Sequence, residues 1–173
     1  MKYHLVIIIS ALMFISCARQ EEDSRTEISD LESELRAGSE IDTVKLKALL
    51  TAYRNYYESQ PADSASPYYM MKEADLRQGT LGDNQRALEL YQEITEDYPG
   101  HQLAPRAVFM SAYVYDENLK DTETARRLYG QLIREYPDDP LAREAKNLLA
   151  LLNDTLSMED QVRRWLSQDS LTP

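Results

Sequence analysis

Two stretches decide how this chain folds: RALELYQEITEDYP at residues 86–99 and TARRLYGQLIREYP at residues 124–137. They lie 38 residues apart. Extending the comparison to 86–116 against 124–154 gives ten identities in 31 positions, among them Ala87/Ala125, Leu90/Leu128, Tyr91/Tyr129, Tyr98/Tyr136, Pro99/Pro137 and Ala112/Ala150. Average composition would give roughly two by chance. The register also runs backward, because Tyr53, Pro61 and Ala74 precede Tyr91, Pro99 and Ala112 by the same 38. A fixed period of this length is the mark of stacked repeats.

Each period reads as two helices. Ala87, Leu90, Tyr91 and Ile94 recur at helical spacing, as do Ala125, Leu128, Tyr129 and Leu132. Tyr98-Pro99 and Tyr136-Pro137 end those helices, since the residue before proline is pushed out of helical geometry. Ser66-Pro67 and Asp139-Pro140 place a capping side chain before a proline at the first helical position. Asp83 and Asp121 read as caps of the helices they precede, and Ser157-x-x-Asp160 opens a last helix carrying Val162, Trp165 and Leu166 on one face. The expected helices are 44–59, 67–79, 83–97, 103–118, 121–135, 140–152 and 157–168. The segment 103–118 is apolar nearly all round, which places it in the middle of the stack. Ala74, Ala112 and Ala150 would let neighbouring helices approach closely.

The spacing from Ala87 to Pro99 and from Ala125 to Pro137, with an aromatic four residues after each alanine, resembles the second half of the tetratricopeptide repeat. Ala74, Ala112 and Ala150 stand where that pattern has its first-half glycine, 13 rather than 12 residues before the second-half alanine, as in Ala112 to Ala125. The resemblance covers roughly 44–168. It implies an all-α, right-handed solenoid of about seven antiparallel helices with a 38-residue period. The longer period and the Tyr-Pro ending look most like outer-membrane-protein assembly lipoproteins and the periplasmic repeat proteins that accompany the Tol–Pal system. The assembly lipoproteins usually carry about five repeats, whereas this chain holds two clear ones with degenerate ends.

The N-terminus carries an address. Met1-Lys2-Tyr3-His4 is a short basic start, and Leu5 to Ile15 is an apolar run broken only by Ser10. That is the length of a signal-peptide hydrophobic region and far short of the roughly 20 residues of a membrane-spanning helix. The run stops at Phe14-Ile15-Ser16-Cys17, which resembles the lipobox of bacterial lipoproteins, with Phe14 in place of the commoner leucine. The resemblance implies removal of residues 1–16 and a diacylglyceryl and N-acyl lipid on Cys17, with no other cofactor. Ala18 is not aspartate, which by the usual sorting rule implies the outer membrane. Glu21-Glu22-Asp23 resembles the surface-export signals of some envelope lipoproteins, or is simply a solvated tether; the periplasmic face is the expected side and the cell surface the alternative.

Residues 18–43 hold nine acidic and three basic side chains and few apolar ones. The segment 17–43 therefore reads chiefly as a lipidated cysteine and flexible acidic tether; Ile28, Leu31 and Leu35 form a stripe and Ser24-x-x-Glu27 looks like a capping box, so a short, loosely docked helix is the alternative. Residues 44–168 are the repeat domain and 169–173 a tail. The net charge is −11, and Lys2 is the one formal charge in the first 17 residues, leaving −12 on the rest. Such a surface repels nucleic acid and anionic headgroups. It would draw a basic partner over long range, or serve solubility alone.

Little here points to chemistry. Cys17 is the sole cysteine, so neither a disulfide nor a cysteine metal cluster can form within the chain. His101 is the one histidine beyond the signal and lies in a loop, at the place of Asp139 in the next repeat. There is no phosphate loop and no dinucleotide fingerprint. Asp138-Asp139 and Asp116-Glu117 read as loop and surface pairs, and neither an enzyme nor a metal site is expected. In tetratricopeptide proteins the first helices of the pairs line a groove that takes a peptide or helix. Carried over by position, the groove residues here are Tyr68, Met71, Asp75, Arg106, Phe109, Tyr113, Asp116, Glu144 and Asn147. The resemblance thus implies an envelope protein-interaction scaffold whose partner offers a basic or apolar segment, attached to the membrane by lipid alone. Phe109 and Tyr113 equally suit a packed inner layer. The alternative is an accessory lipoprotein of a surface nutrient or adhesion system that recognises glycan, though a sugar site generally wants exposed tryptophan and Trp165 is the sole one.

Overall fold

The structure is a computed structural model and describes residues 22–169. Cys17, the signal segment and the tail from 170 onward lie outside the described residues. All regular structure among them is helical: α1 (22–37), α2 (Thr43–Ser59), α3 (Ser66–Leu76), α4 (Asn84–Asp97), α5 (Ala104–Tyr113), α6 (Thr122–Glu135) and α7 (Pro140–Asp169). The fold is tetratricopeptide-like, a succession of packed helices. It divides into two compact units, Met1–Glu73 and Ala74–Pro173.

In the second unit α5 packs against α4, α6 and α7. Its residues Ala104, Pro105, Ala107, Val108, Ser111 and Ala112 are buried, as its apolar circumference requires. Leu90, Tyr91 and Ile94 of α4 and Tyr129 and Leu132 of α6 are wholly buried. Each such aliphatic side chain contributes about 1.5–3 kcal/mol on leaving water. The second helices α4 and α6, both 14 residues long, are bounded by the same devices. Asp83 accepts from the backbone N–H of Arg86 at 3.2 Å, and Asp121 from Thr124 at 3.1 Å. Gln60, Tyr98 and Tyr136, each before a proline and 38 apart, leave the helix at φ −129°, −128° and −130°.

The first helices end differently. A wide π-type turn follows α3 at Arg77–Leu81, and another follows α5 at Val114–Asn118. The extra residue between Ala74 and Ala87, and between Ala112 and Ala125, is absorbed there, because an i→i+5 turn holds one residue more than an α-turn. The expected helices 67–79 and 103–118 are corrected accordingly. Each turn is left through a residue in the left-handed region: Gly82 at φ 66° and Lys120, the equivalent position, at φ 57°.

In the first unit the main expectation, a flexible tether, gives way to the helical alternative over residues 22–37. Residues 22–37 are helical, and Ile28 is 2% exposed. Leu31 and Leu35 on the same stripe are half-buried. Polar contacts complete the docking. The Arg25 guanidinium donates to both Asp63 carboxylate oxygens at 3.0 and 2.8 Å and to the Tyr56 hydroxyl at 2.7 Å. Glu32 accepts from the Tyr53 hydroxyl at 2.7 Å and from Lys72 at 2.6 Å. Ser24 lies inside the helix rather than capping it. Ser66, expected as a cap, is itself helical and buried, and its hydroxyl donates to the carbonyl of Gln60 at 2.6 Å.

Two further expectations change at the C-terminus. The helices 140–152 and 157–168 are one continuous helix, α7, because nothing in Asn153-Asp154-Thr155-Leu156-Ser157 obliges a break. Ala150 is exposed, unlike its buried equivalents Ala74 and Ala112. Val162 is exposed, and the side chains of Trp165 and Leu166 lie outside the described residues.

The left-handed exits give a paired test. No neighbouring atom would meet a Cβ on Gly82, so Gly82→Ala should lose only the backbone term, about 1–2 kcal/mol. Lys120→Gly should not destabilise, since it relieves the same strain. Thermal unfolding of both variants checks this, and a Lys120→Gly protein clearly weaker than the parent contradicts it.

Candidate functional site

The residues expected to line a groove fall into both units. In the first, Tyr68 is 38% exposed but Met71 is only 3% exposed. Met71 belongs to the core beside α2 and offers nothing to a ligand, so it is withdrawn as a groove residue. Helical spacing placed it correctly on α3, but spacing alone does not say which flank of the helix is covered.

In the second unit α5 and α7 are adjacent first helices, and their common side carries the remaining groove candidates. Arg106 and Tyr113 are exposed on α5, and Glu144 and Asn147 on α7. Asp116, in the turn after α5, is half-buried. Phe109 is partly buried with its ring centroid 5.8 Å from that of Tyr129, so it packs the inner layer. Tyr113, at 40% exposed, does not.

The two repeat tyrosines, Tyr91 and Tyr129, are both fully buried and 38 residues apart. Their hydroxyls meet different fates. Tyr91 donates to Asp75 Oδ1 at 3.0 Å, and Asp75 Oδ2 accepts from Arg106 Nη2 at 2.6 Å. Burial raises the Asp75 carboxyl above the ordinary carboxylate range, against the opposing pull of Arg106 and Tyr91. The Tyr129 hydroxyl is buried with no hydrogen-bond partner among the described residues. Burial raises its pKa, and Asp116, Glu117, Tyr113 and Glu144 push it the same way. The reason lies in the register. Tyr113 stands where the preceding repeat has Asp75, and Glu144 where it has Arg106.

Two features escaped the sequence. A furrow of about 350 Å³ has Leu88 of α4, Val108 and Ser111 of α5, Tyr115 of the turn after α5 and Leu128 of α6 among its lining. The apolar circumference of α5 was the signal for it. The unpartnered Tyr129 hydroxyl was legible only as a substitution of Asp75 and Arg106 between copies. His101 lies in the loop before α5, where its Nδ1 accepts from the backbone N–H of Leu103 at 3.3 Å. Among the described residues no three metal-ligating side chains converge, and no helix is long and apolar enough to cross a membrane.

A family model described as tetratricopeptide repeat matches residues 68–101 and 106–139. These matches support a tetratricopeptide-repeat protein. In general terms that is a scaffold for protein–protein contact, of a kind that is generally non-catalytic. No curated protein and no solved structure matches the chain.

The two tyrosines should respond oppositely to loss of the hydroxyl. Tyr91→Phe breaks a hydrogen bond to a carboxylate and should cost about 1–2 kcal/mol. Tyr129→Phe removes a buried group that has no partner and should be neutral or stabilising. Denaturant unfolding of the two variants measures the difference, and equal losses would contradict the contrast.

Proposed function

We propose that this chain is a lipid-anchored interaction scaffold of the bacterial envelope, holding a partner peptide or helix against the α5–α7 face. The observation that carries the reading is Tyr113. It is a large aromatic left 40% exposed on the first-helix side, near two carboxylates that have no ion-pair partner among the described residues, Asp116 and Glu144. Amphipathic aromatics of this kind anchor protein interfaces. Arg106, Asn147 and Tyr68 belong to the same first-helix series, and Phe109 supports the face from below.

The envelope address rests on the apolar run ending at Cys17 and on the resemblance to lipoprotein signals. Two or more acyl chains on that residue anchor a protein stably, whereas one does so only marginally. The absence of aspartate at position 18 favours the outer membrane, with the periplasmic face preferred. Envelope proteins are then the natural partners.

Two measurements test the two halves of the reading. Cys17→Ala should abolish incorporation of a labelled fatty acid and leave the protein out of the membrane fraction; unchanged labelling or fractionation counts against the anchor. A photo-crosslinking residue at position 113 should trap a protein partner in intact cells, and Tyr113→Ala should weaken capture without changing thermal stability. Equal capture by the folded Tyr113→Ala protein rules out this face.

A further inference from the structure

The copies of the repeat differ at one point in a way that specifies a ligand. In the earlier copy a buried tyrosine, a carboxylate and a guanidinium form a closed chain, Tyr91 to Asp75 to Arg106. In the later copy the tyrosine is retained and wholly buried, and its hydroxyl has no partner among the described residues. The cation position has become Glu144, which is exposed and unpaired among the described residues. Asp116 has no ion pair among the described residues either, and burial together with Glu117 holds its carboxyl above the usual range against the pull of Lys120. Lys120 itself is bonded to Glu117 at 3.1 Å.

We propose that the α5–α7 face between Tyr113, Asp116 and Glu144 holds a lysine or arginine side chain of a partner protein, in the place that Arg106 takes one repeat earlier. The proposal rests on the scaffold reading above and adds the chemistry of what is held. The exposed ring of Tyr113 supplies a surface for the aliphatic stem and a face for the cation. Asp116 and Glu144 supply charge-assisted acceptors, and a guanidinium can engage a carboxylate with two parallel bonds where an ammonium makes one. The Tyr129 hydroxyl, on which Asp116, Glu117, Tyr113 and Glu144 all act, can accept a further N–H after a small side-chain adjustment. Serving an external cation also accounts for a buried hydroxyl that would otherwise be better replaced by phenylalanine. The surplus negative charge of the chain would speed encounter with such a partner at low salt.

The test uses the full chain in non-ionic micelles and two blocked pentapeptides, glycine-alanine-X-alanine-glycine, with X either arginine or its neutral isostere citrulline. Amide chemical shifts of α5 and α7 report binding. The arginine peptide should bind at least about tenfold more tightly than the citrulline peptide, the worth of a charge-assisted hydrogen bond. Glu144→Arg should lose that binding, because it supplies the cation from within, and Glu144→Gln and Asp116→Asn should each weaken it. Both positions lie at or near the surface, and unchanged thermal melting confirms the fold of each variant. Equal binding of the two peptides overturns the cation assignment, and so does a Glu144→Arg protein that binds arginine as the parent does. Shifts confined to residues away from α5 and α7 overturn it too. The face itself is judged separately by crosslinking at position 113, so a partner trapped there with no preference for arginine would leave the scaffold reading standing alone.

Discussion

Alanine at the helix contacts is the constraint on which the second unit depends. Ala87, Ala104, Ala107, Ala112, Ala125, Ala142 and Ala145 are all at zero exposure. A methyl group lets two helix backbones come close, and the space left over is filled by one large ring per repeat, Tyr91 or Tyr129. A larger residue at any of these alanines would have to push a whole helix outward, since interiors packed to crystal density have little slack. The tyrosines gain their fixed position from the same closeness. Their hydroxyls therefore reach the first-helix side at set points, and what stands at those points becomes the chemistry of the face.

Much of this was legible because it is local and repeated. The 38-residue period, the aspartate caps and the proline-enforced exits at Tyr98 and Tyr136 all follow from nearest-neighbour rules, and all are observed. What was not legible depends on partners distant in the chain. An acidic, thinly apolar stretch at 22–37 looks like a tether until Arg25 meets Asp63 and Glu32 meets Tyr53 and Lys72. The run of caps at Ser157 and Asp160 suggested a break in α7, yet such residues permit a helix end without requiring one. The 13-residue spacing between repeat alanines did announce an insertion, but not that it would be housed as a π-type turn.

The site shows the same division. Tyr113, Asp116, Glu144 and Asn147 were placed on the first-helix side by repeat position, and the structure leaves all of them at the surface or half-buried. Met71 fails because burial depends on the facing element, which periodicity does not reveal. The distinction between Tyr91 and Tyr129 lies in what faces their hydroxyls, since the two residues are alike in type, repeat position and burial. Only the carboxylate near one hydroxyl and the absence of a bonded partner for the other separate them.

The internal pairing of Asp75 with Arg106 has a consequence for alignment. Tandem copies invite slippage, because a ligand that fits one cleft fits the next after a shift of one unit. Here the earlier copy is already stoppered by its own guanidinium, so a basic chain of the proposed kind would have one place to seat rather than two. Divergence between duplicated modules would thus supply what a uniform array lacks, a unique zero point.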